Sequence, residues 1–477
     1  MTPLLTFVLL YLLVSISIGL YAATRVKSAT DYAVAGRSLP LPIVIATVFA
    51  TWFGSETVLG IPARFAEHGL GGTVEDPFGA SLCLIFVGLF FARKLYRMEL
   101  LTIGDYFKQR YNRPVEVIVS LCIVASYLGW VSAQITAMGL VFNVLTGGAI
   151  PMSHGMVLGA AIVLLYTLFG GMWSVALTDA FQMLLIVAGM IFIAWVIADA
   201  AGGAGKVISH ASESGKLRFL PEMTLPSMLA FVGGAVTIMF GSIPQQDVFQ
   251  RVMSARDEDV AASGAVIGGS MYFVIAFIPM FLVYASQLID PALFASLLEE
   301  DSQLILPTLI LRDTPLLAQI MFFGALLSAI MSTASGTLLA PSVTLTENII
   351  REMRPMNDHQ LLMTTRIVVV CFAIIVTAFA LLSQGMPIYE MVGNSYKVPL
   401  VGAFIPLVMG LYWKRSTTQG ALVSVIGGLL SWVLMEVFGA ESIWPPQLVG
   451  LLVAFLGMIV GSLAPQWVGQ QTEQAPA

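Results

Sequence analysis

The side chains of this 477-residue chain best able to do chemistry lie inside long apolar runs. Ala329, Ser332 and Thr333 stand at i, i+3 and i+4, so they share one face if the run is helical. A hard cation seeks neutral or anionic oxygens, which a helix offers only where hydroxyls share a face or the backbone is unwound. The same hydroxyls can instead bond to carbonyls one turn back or to a neighbouring helix, and spacing alone leaves both uses open. Glu56 closes the stretch Ala50-Thr51-Trp52-Phe53-Gly54-Ser55, and Asp179 lies in a second apolar run. A carboxylate at membrane depth costs roughly 2.5–3.5 kcal/mol unless something pairs it, so Asp179 requires a cationic neighbour. Four uses stand open for Glu56: pairing with a cationic solute, titrating as a proton site, neutralising Lys397, or facing a watery vestibule. Trp52 and Trp130 have ring faces that attract a cation and bodies that equally well pack a bundle. Gln245 and Gln246 suit a carboxylate or an amide.

These residues must be positioned by membrane-spanning helices. Only 10% of the chain is charged and 58% is hydrophobic, far from the composition of a soluble domain. Apolar runs of about 20 residues recur from end to end, each long enough to cross a bilayer core of about 30 Å as a helix. A β-barrel would need short stretches of alternating polarity, which runs such as 3–24 and 367–382 lack. The fold class is therefore all-α and polytopic. The predicted spans, about 13 by this criterion, are 3–24, 41–63, 77–96, 115–145, 155–172, 176–198, 223–248, 262–288, 315–349, 361–385, 390–412, 418–439 and 446–465. Residues 1–466 form a single transmembrane domain, and 467–477 are expected to be a disordered tail. The spans 115–145 and 315–349 exceed one perpendicular crossing, so each must tilt or include a short turn outside the membrane.

An odd number of spans puts the termini on opposite sides, and Lys and Arg near span ends mark the cytoplasm. One set of loops is rich in them, including Arg25, Lys27, Arg37, Lys94, Lys108, Arg113, Arg251, Arg351 and Lys414, whereas the other has only Arg64, Lys206, Lys216, Arg218 and Arg312. The N-terminus is placed outside and the C-terminus inside, in a bacterial inner membrane. No Lys or Arg precedes Arg25, so the first run reads as a retained helix and not a cleaved signal. Cys83, Cys122 and Cys371 all fall in apolar runs, which offers neither a disulfide framework nor a zinc motif. The net charge of -6 is spread over loops, with no basic block for nucleic acid.

Two spans carry the composition of a broken helix. The second has Gly54 and Ser55 in its middle and Pro62 further on, and the seventh is interrupted by Phe240-Gly241-Ser242-Ile243-Pro244-Gln245-Gln246. Discontinuous helices present polar backbone at the membrane midplane without exposing unpaired amides to lipid, as a transporter requires.

Several stretches together resemble the sodium:solute symporter family, with the leucine-transporter type of fold. They are Gly36-Arg37-Ser38-Leu39, Ala50-Thr51-Trp52-Phe53-Gly54, the run Gly170-Gly171-Met172-Trp173-Ser174-Val175 followed by Thr178-Asp179 and Gln182, Gln250-Arg251-Val252-Met253-Ser254, and Ser328 to Ser335. They follow the family's order over nearly the whole chain. The resemblance implies a five-plus-five inverted repeat, with 41–198 and 223–412 as the two halves, the helix at 3–24 before them and two helices at 418–465 after. It implies sodium as the coupling ion and no other cofactor. Sodium would be bound by the carbonyls of Ala50, Phe53 and Ala329 and the hydroxyls of Ser332 and Thr333. Some members hold a second sodium at the aspartate matching Asp179 with serines matching Ser332 and Ser335, but Gly336 stands where those members have a further hydroxyl. Trp52 and Trp130 would line the substrate site by resemblance; Glu56, where many relatives carry a small or neutral residue, and Gln245 and Gln246 join them from their place beside the two helix breaks. The motifs look nearest to the choline and proline transporter branches, although Gln245 replaces a Trp and Ala80 a Tyr of the choline branch.

The function these readings favour is sodium-coupled import of a small organic solute by alternating access. Its partners would be the solute, sodium and the lipid bilayer, without nucleic acid, and the working unit a monomer. Proton coupling and a non-transporting solute sensor are the alternatives. An enzyme would need a nucleophile, acid–base pair or metal cluster converging at one depth, and His68, His154, His210 and His359 are scattered over different loops and span ends.

Overall fold

Large apolar side chains such as Leu184, Trp195, Ile374 and Val437 cover the outside of this molecule, while Thr47, Glu56, Asp179, Asp247 and Arg251 are buried in its middle. That inversion suits a hydrocarbon solvent, in which only the interior can satisfy polar groups. The computed structural model describes residues 3–439 and 442–468, so most of the expected tail, 469–477, lies outside the described residues. Among the described residues the secondary structure is helical, with a single isolated bridge between Leu39 and Ala255 and no strand.

The membrane-scale helices are α1 (Pro3–Ala23), α2 (Leu41–Trp52), α3 (Glu56–His68), α4 (Leu70–Tyr96), α5 (Arg113–Leu145), α6 (Met152–Ala200), α7 (Leu225–Gly241), α8 (Gln246–Met253), α9 (Glu258–Ile289), α10 (Leu316–Met353), α11 (Asp358–Leu382), α12 (Ile388–Tyr412), α13 (Thr418–Phe438) and α14 (Pro446–Leu463). By length and composition ten of these cross a membrane alone, or up to twelve spans result if each bent pair, α2 with α3 and α7 with α8, counts as one. The expected spans at 155–172 and 176–198 fall together in α6, whose 49 residues would extend about 74 Å as a straight helix. It is not straight. Gly171 adopts φ 50°, ψ -140°, a backbone conformation only glycine takes without strain, and a Cβ there would lie 2.5 Å from the Tyr32 carbonyl. The Tyr32 hydroxyl reaches the carbonyls of Thr167 and Leu168 beside the break, at 3.3 and 3.2 Å.

Both expected interruptions bend the chain. Between α2 and α3 the axis turns by 53°, and between α7 and α8 by 44°. Phe53 leaves the helix at φ -83°, ψ 72°, and the Trp52 carbonyl accepts from Thr57 Oγ1 at 2.8 Å, so the break does not strand it. In the second pair Pro244 has no amide to continue the ladder, and Gln245 is extended. The far ends of the two pairs are tied together: Leu39 N donates to Ser254 O at 2.9 Å and Arg256 N to Leu39 O at 3.0 Å. Helices α5, α6 and α10 pack on one another around α2, while α13 and α14 pair at the edge against α12.

Candidate functional site

Helix α10 runs past the first break and sets its hydroxyl face against it. Thr333 Oγ1 lies 3.2 Å from the Ala50 carbonyl and 3.1 Å from that of Thr51, and Ser332 Oγ lies 3.1 Å from the Ala50 carbonyl. These hydroxyls therefore face across to the helix break and do not bond back along α10; of the uses their spacing left open, only the bond one turn back is not made. Ala329 and Phe53 are fully buried beside them. The oxygens gathered are neutral carbonyls and hydroxyls, the donor set a hard monovalent cation takes.

Asp179 adjoins the same face. Its two oxygens accept from Ser332 Oγ at 2.6 Å and Thr47 Oγ1 at 2.5 Å. The required cation is Arg251, whose Nη2 lies 4.0 Å from Asp179 Oδ2. Arg251, placed with the loops by the charge pattern, is instead buried in α8, where Nε donates to Thr47 O and Nη1 to Asp247 O. The missing hydroxyl at Gly336 has a steric counterpart, because a Cβ there would fall on the Arg251 guanidinium. Ser335 Oγ donates to Ser332 O at 2.9 Å.

Trp52 and Trp130 do come together, and Tyr396 of α12 joins them: each of the three ring pairs is 5.3 Å apart. Glu56 sits at the edge of this cluster, accepting from Trp130 Nε1 at 3.3 Å and Gln134 Nε2 at 2.7 Å. Gln134 Oε1 in turn accepts from Ser55 N at 2.9 Å, so one side chain holds both the break and the carboxylate. A Cβ at Gly54 would lie 2.6 Å from Glu56 Oε2 and 2.7 Å from Thr333 Oγ1, which places the carboxylate next to the hydroxyl face. Lys397 is not its partner; it lies 3.1 Å from Glu436. Among the described residues no Lys or Arg stands within ion-pair distance of Glu56.

The two glutamines part company. Gln245 Nε2 donates to Ser126 Oγ at 2.8 Å, one turn of α5 from Trp130, leaving Oε1 without a partner. Gln246 Oε1 accepts from Ile103 N at 2.8 Å, at the start of the helix Ile103–Arg110, away from the aromatic cluster. Trp52 Nε1, Ser242 Oγ and Tyr396 Oη are also buried without partners. Sequence reasoning missed Thr47, Gln134 and Tyr396. Gln134, a polar side chain one turn from Trp130 in an apolar span, was the one local signal.

On the side of the bundle where α3 ends, a cavity of about 370 Å³ is lined by Gly60, Ala63, Arg64 and Glu67 of α3, Thr136 of α5, residues 298–303 and residues 385–390. The α3 residues fall at i, i+3, i+4 and i+7, one helical face, and Glu56 precedes Gly60 by four on that same face.

Comparison with known proteins identifies a family and a fold. The sodium:solute symporter family profile matches residues 32–428. The human high affinity choline transporter 1 is 27% identical over 449 residues, covering 89% of this chain and 75% of that protein. The sodium/pantothenate symporter of Escherichia coli K12 is 26% identical over 477 residues, 96% of each. A solved structure of a Na+-coupled sialic acid symporter, in a substrate-bound outward-open state, has a TM-score of 0.83 at 19% identity over 98% of both chains, a likeness of fold.

Proposed function

Starting from the fact that the chain belongs to the sodium:solute symporter family, we propose how it performs sodium-coupled import of a small organic solute. Sodium binds at the first helix break, held by the carbonyls of Ala50, Phe53 and Ala329 and the hydroxyls of Ser332 and Thr333. The observation that carries this reading is the approach of both hydroxyls to the Ala50 carbonyl, at 3.1 and 3.2 Å. An ion there ties α2 to α10 and favours the conformer in which the break and hydroxyl face adjoin, and solute binding then draws α3, α5, α8 and α12 together. Solute contacts Trp52, Glu56, Trp130 and Gln245, with Tyr396 as the third ring, and Gln246 serves the closure contact at Ile103.

One sodium is bound. Asp179 is occupied by Thr47, Ser332 and the Arg251 guanidinium, a built-in cation that takes the role of a second ion. The two arms of α6 count as separate spans, which makes 13 and gives two five-helix repeats at 41–198 and 223–412. The N-terminus then faces outside, the cavity beside α3 opens outward, and the protein works as a monomer in a bacterial inner membrane.

Uptake into proteoliposomes tests this reading. The double substitution Ser332→Ala/Thr333→Ala should abolish sodium dependence while the protein remains folded. Uptake that follows a pH gradient and ignores sodium would select proton coupling instead.

A further inference from the structure

The carboxylates on the vestibule side of the molecule outnumber their counter-charges. Five acids line the cavity, Glu67, Glu299, Glu300, Asp301 and Glu390, against one base, Arg64. Arg64 is held at the wall, with Nε on the Gly72 carbonyl and its guanidinium over the ring of Tyr389, itself a lining residue. Glu67 lies 3.5 Å from His68 Nε2; among the described residues none of the five lies within ion-pair distance of a lysine or arginine. The walls also hold two buried polar side chains without partners, Thr136 Oγ1 and Tyr389 Oη. Unsatisfied hydroxyls in the wall of an open cavity point to a ligand or water that completes them.

The charge continues inward. Glu56 lies one turn below Gly60 on the face of α3 that forms the cavity wall, and its hydrogen bonds come from two neutral donors. Asp76, also buried, accepts from the Tyr272 hydroxyl and keeps its other oxygen unpartnered. Glu56, with no lysine or arginine within ion-pair distance among the described residues, lies below a vestibule of five more carboxylates, an arrangement that concentrates cations and excludes anions.

We propose that the solute carries a positive charge: the outer carboxylates gather it, and Glu56, against the Trp52–Trp130–Tyr396 cluster, is its counter-charge when bound. This inference rests on the transport reading above and narrows it to ammonium-type solutes. The rings supply a face for the cation and Glu56 supplies the charge that rings alone do not. Solutes with a hydrogen-bearing ammonium gain more from Glu56 than quaternary ones, because they can donate to it.

The test is sodium-driven uptake of radiolabelled putrescine, choline, proline, glucose and pantothenate by the reconstituted protein. Putrescine or choline should be carried in preference to the others. Glu56→Gln should raise its half-saturation constant about tenfold or more, with the sodium half-saturation constant nearly unchanged. Sodium-dependent thermal stabilisation of that variant reports whether fold and ion site persist. Replacing Glu299, Glu300 and Asp301 by their amides should lower kcat/KM for the cation about tenfold at low ionic strength, an effect that fades as potassium chloride is added. Preferential sodium-driven uptake of pantothenate, glucose or proline would overturn the proposal and leave sodium coupling standing. An equal loss of solute and sodium affinity in Glu56→Gln would overturn it too. Cation uptake indifferent to sodium would instead strike the transport reading on which it rests.

Discussion

Asp179 and Glu56 are both fully buried carboxylates flanking the hydroxyl face of α10, yet they are solved in opposite ways. Asp179 has its cation inside the protein, Arg251 at 4.0 Å, and hydroxyl donors on both oxygens. Glu56 has hydrogen bonds but, among the described residues, no lysine or arginine within ion-pair distance. A buried charge must be neutralised, paired or titrated, because its desolvation costs several kcal/mol even after relaxation. The protein meets that demand at Asp179 by itself; at Glu56, on the proposal above, a cationic solute would meet it. On that proposal one carboxylate belongs to the scaffold, and the other to the transport cycle.

That contrast is open to direct attack. The largest effect should come from Arg251→Met, which strips Asp179 of its counter-charge and should cost about 3–5 kcal/mol, seen as a fall in thermal stability in detergent. The double variant Arg251→Met/Asp179→Asn should recover most of it. Ser332→Ala/Thr333→Ala should raise the sodium half-saturation constant by about a hundredfold or more, at least roughly 2.7 kcal/mol, which removes sodium dependence at working concentrations, with a smaller effect on stability. Gly336→Ala drives a methyl group into the guanidinium and should cost about 1–3 kcal/mol as overpacking. Glu56→Gln, measured by thermal unfolding without sodium or solute, should change stability by less than about 1 kcal/mol or raise it, since no ion pair is broken. Lys397→Met removes a partly exposed pair with Glu436 and should matter least, at roughly 0–1 kcal/mol.

What was legible in the sequence follows from what is local. Both helix breaks are written where they occur, in Gly54 and Ser55 and in Gly241 to Gln246, and the Ala329, Ser332, Thr333 face follows from helical spacing. Arg251 was not legible because the positive-inside pattern reads any arginine between apolar runs as a loop residue. Only the bend before α8 reveals that it turns inward. The role of Gly336 depends on that arginine and so was hidden with it. Gln246 and Gln245 are neighbours in sequence, but the start of α8 points them apart, one to Ile103 and the other to Ser126. Tyr396 reaches Trp52 and Trp130 from α12, far along the chain, and only the packing of α12 on α5 brings it there. The division into 155–172 and 176–198 was legible at the glycine pair, and the kink at Gly171 falls at that boundary inside one 49-residue helix.

The most direct measurement of the central claim is solute accumulation by proteoliposomes under an imposed inward sodium gradient with no pH difference, wild type beside Ser332→Ala/Thr333→Ala. The wild type should accumulate solute against its gradient in a sodium-dependent way, and the double variant should not. Accumulation driven by a pH gradient alone, or a double variant that keeps the full sodium dependence, would contradict that claim.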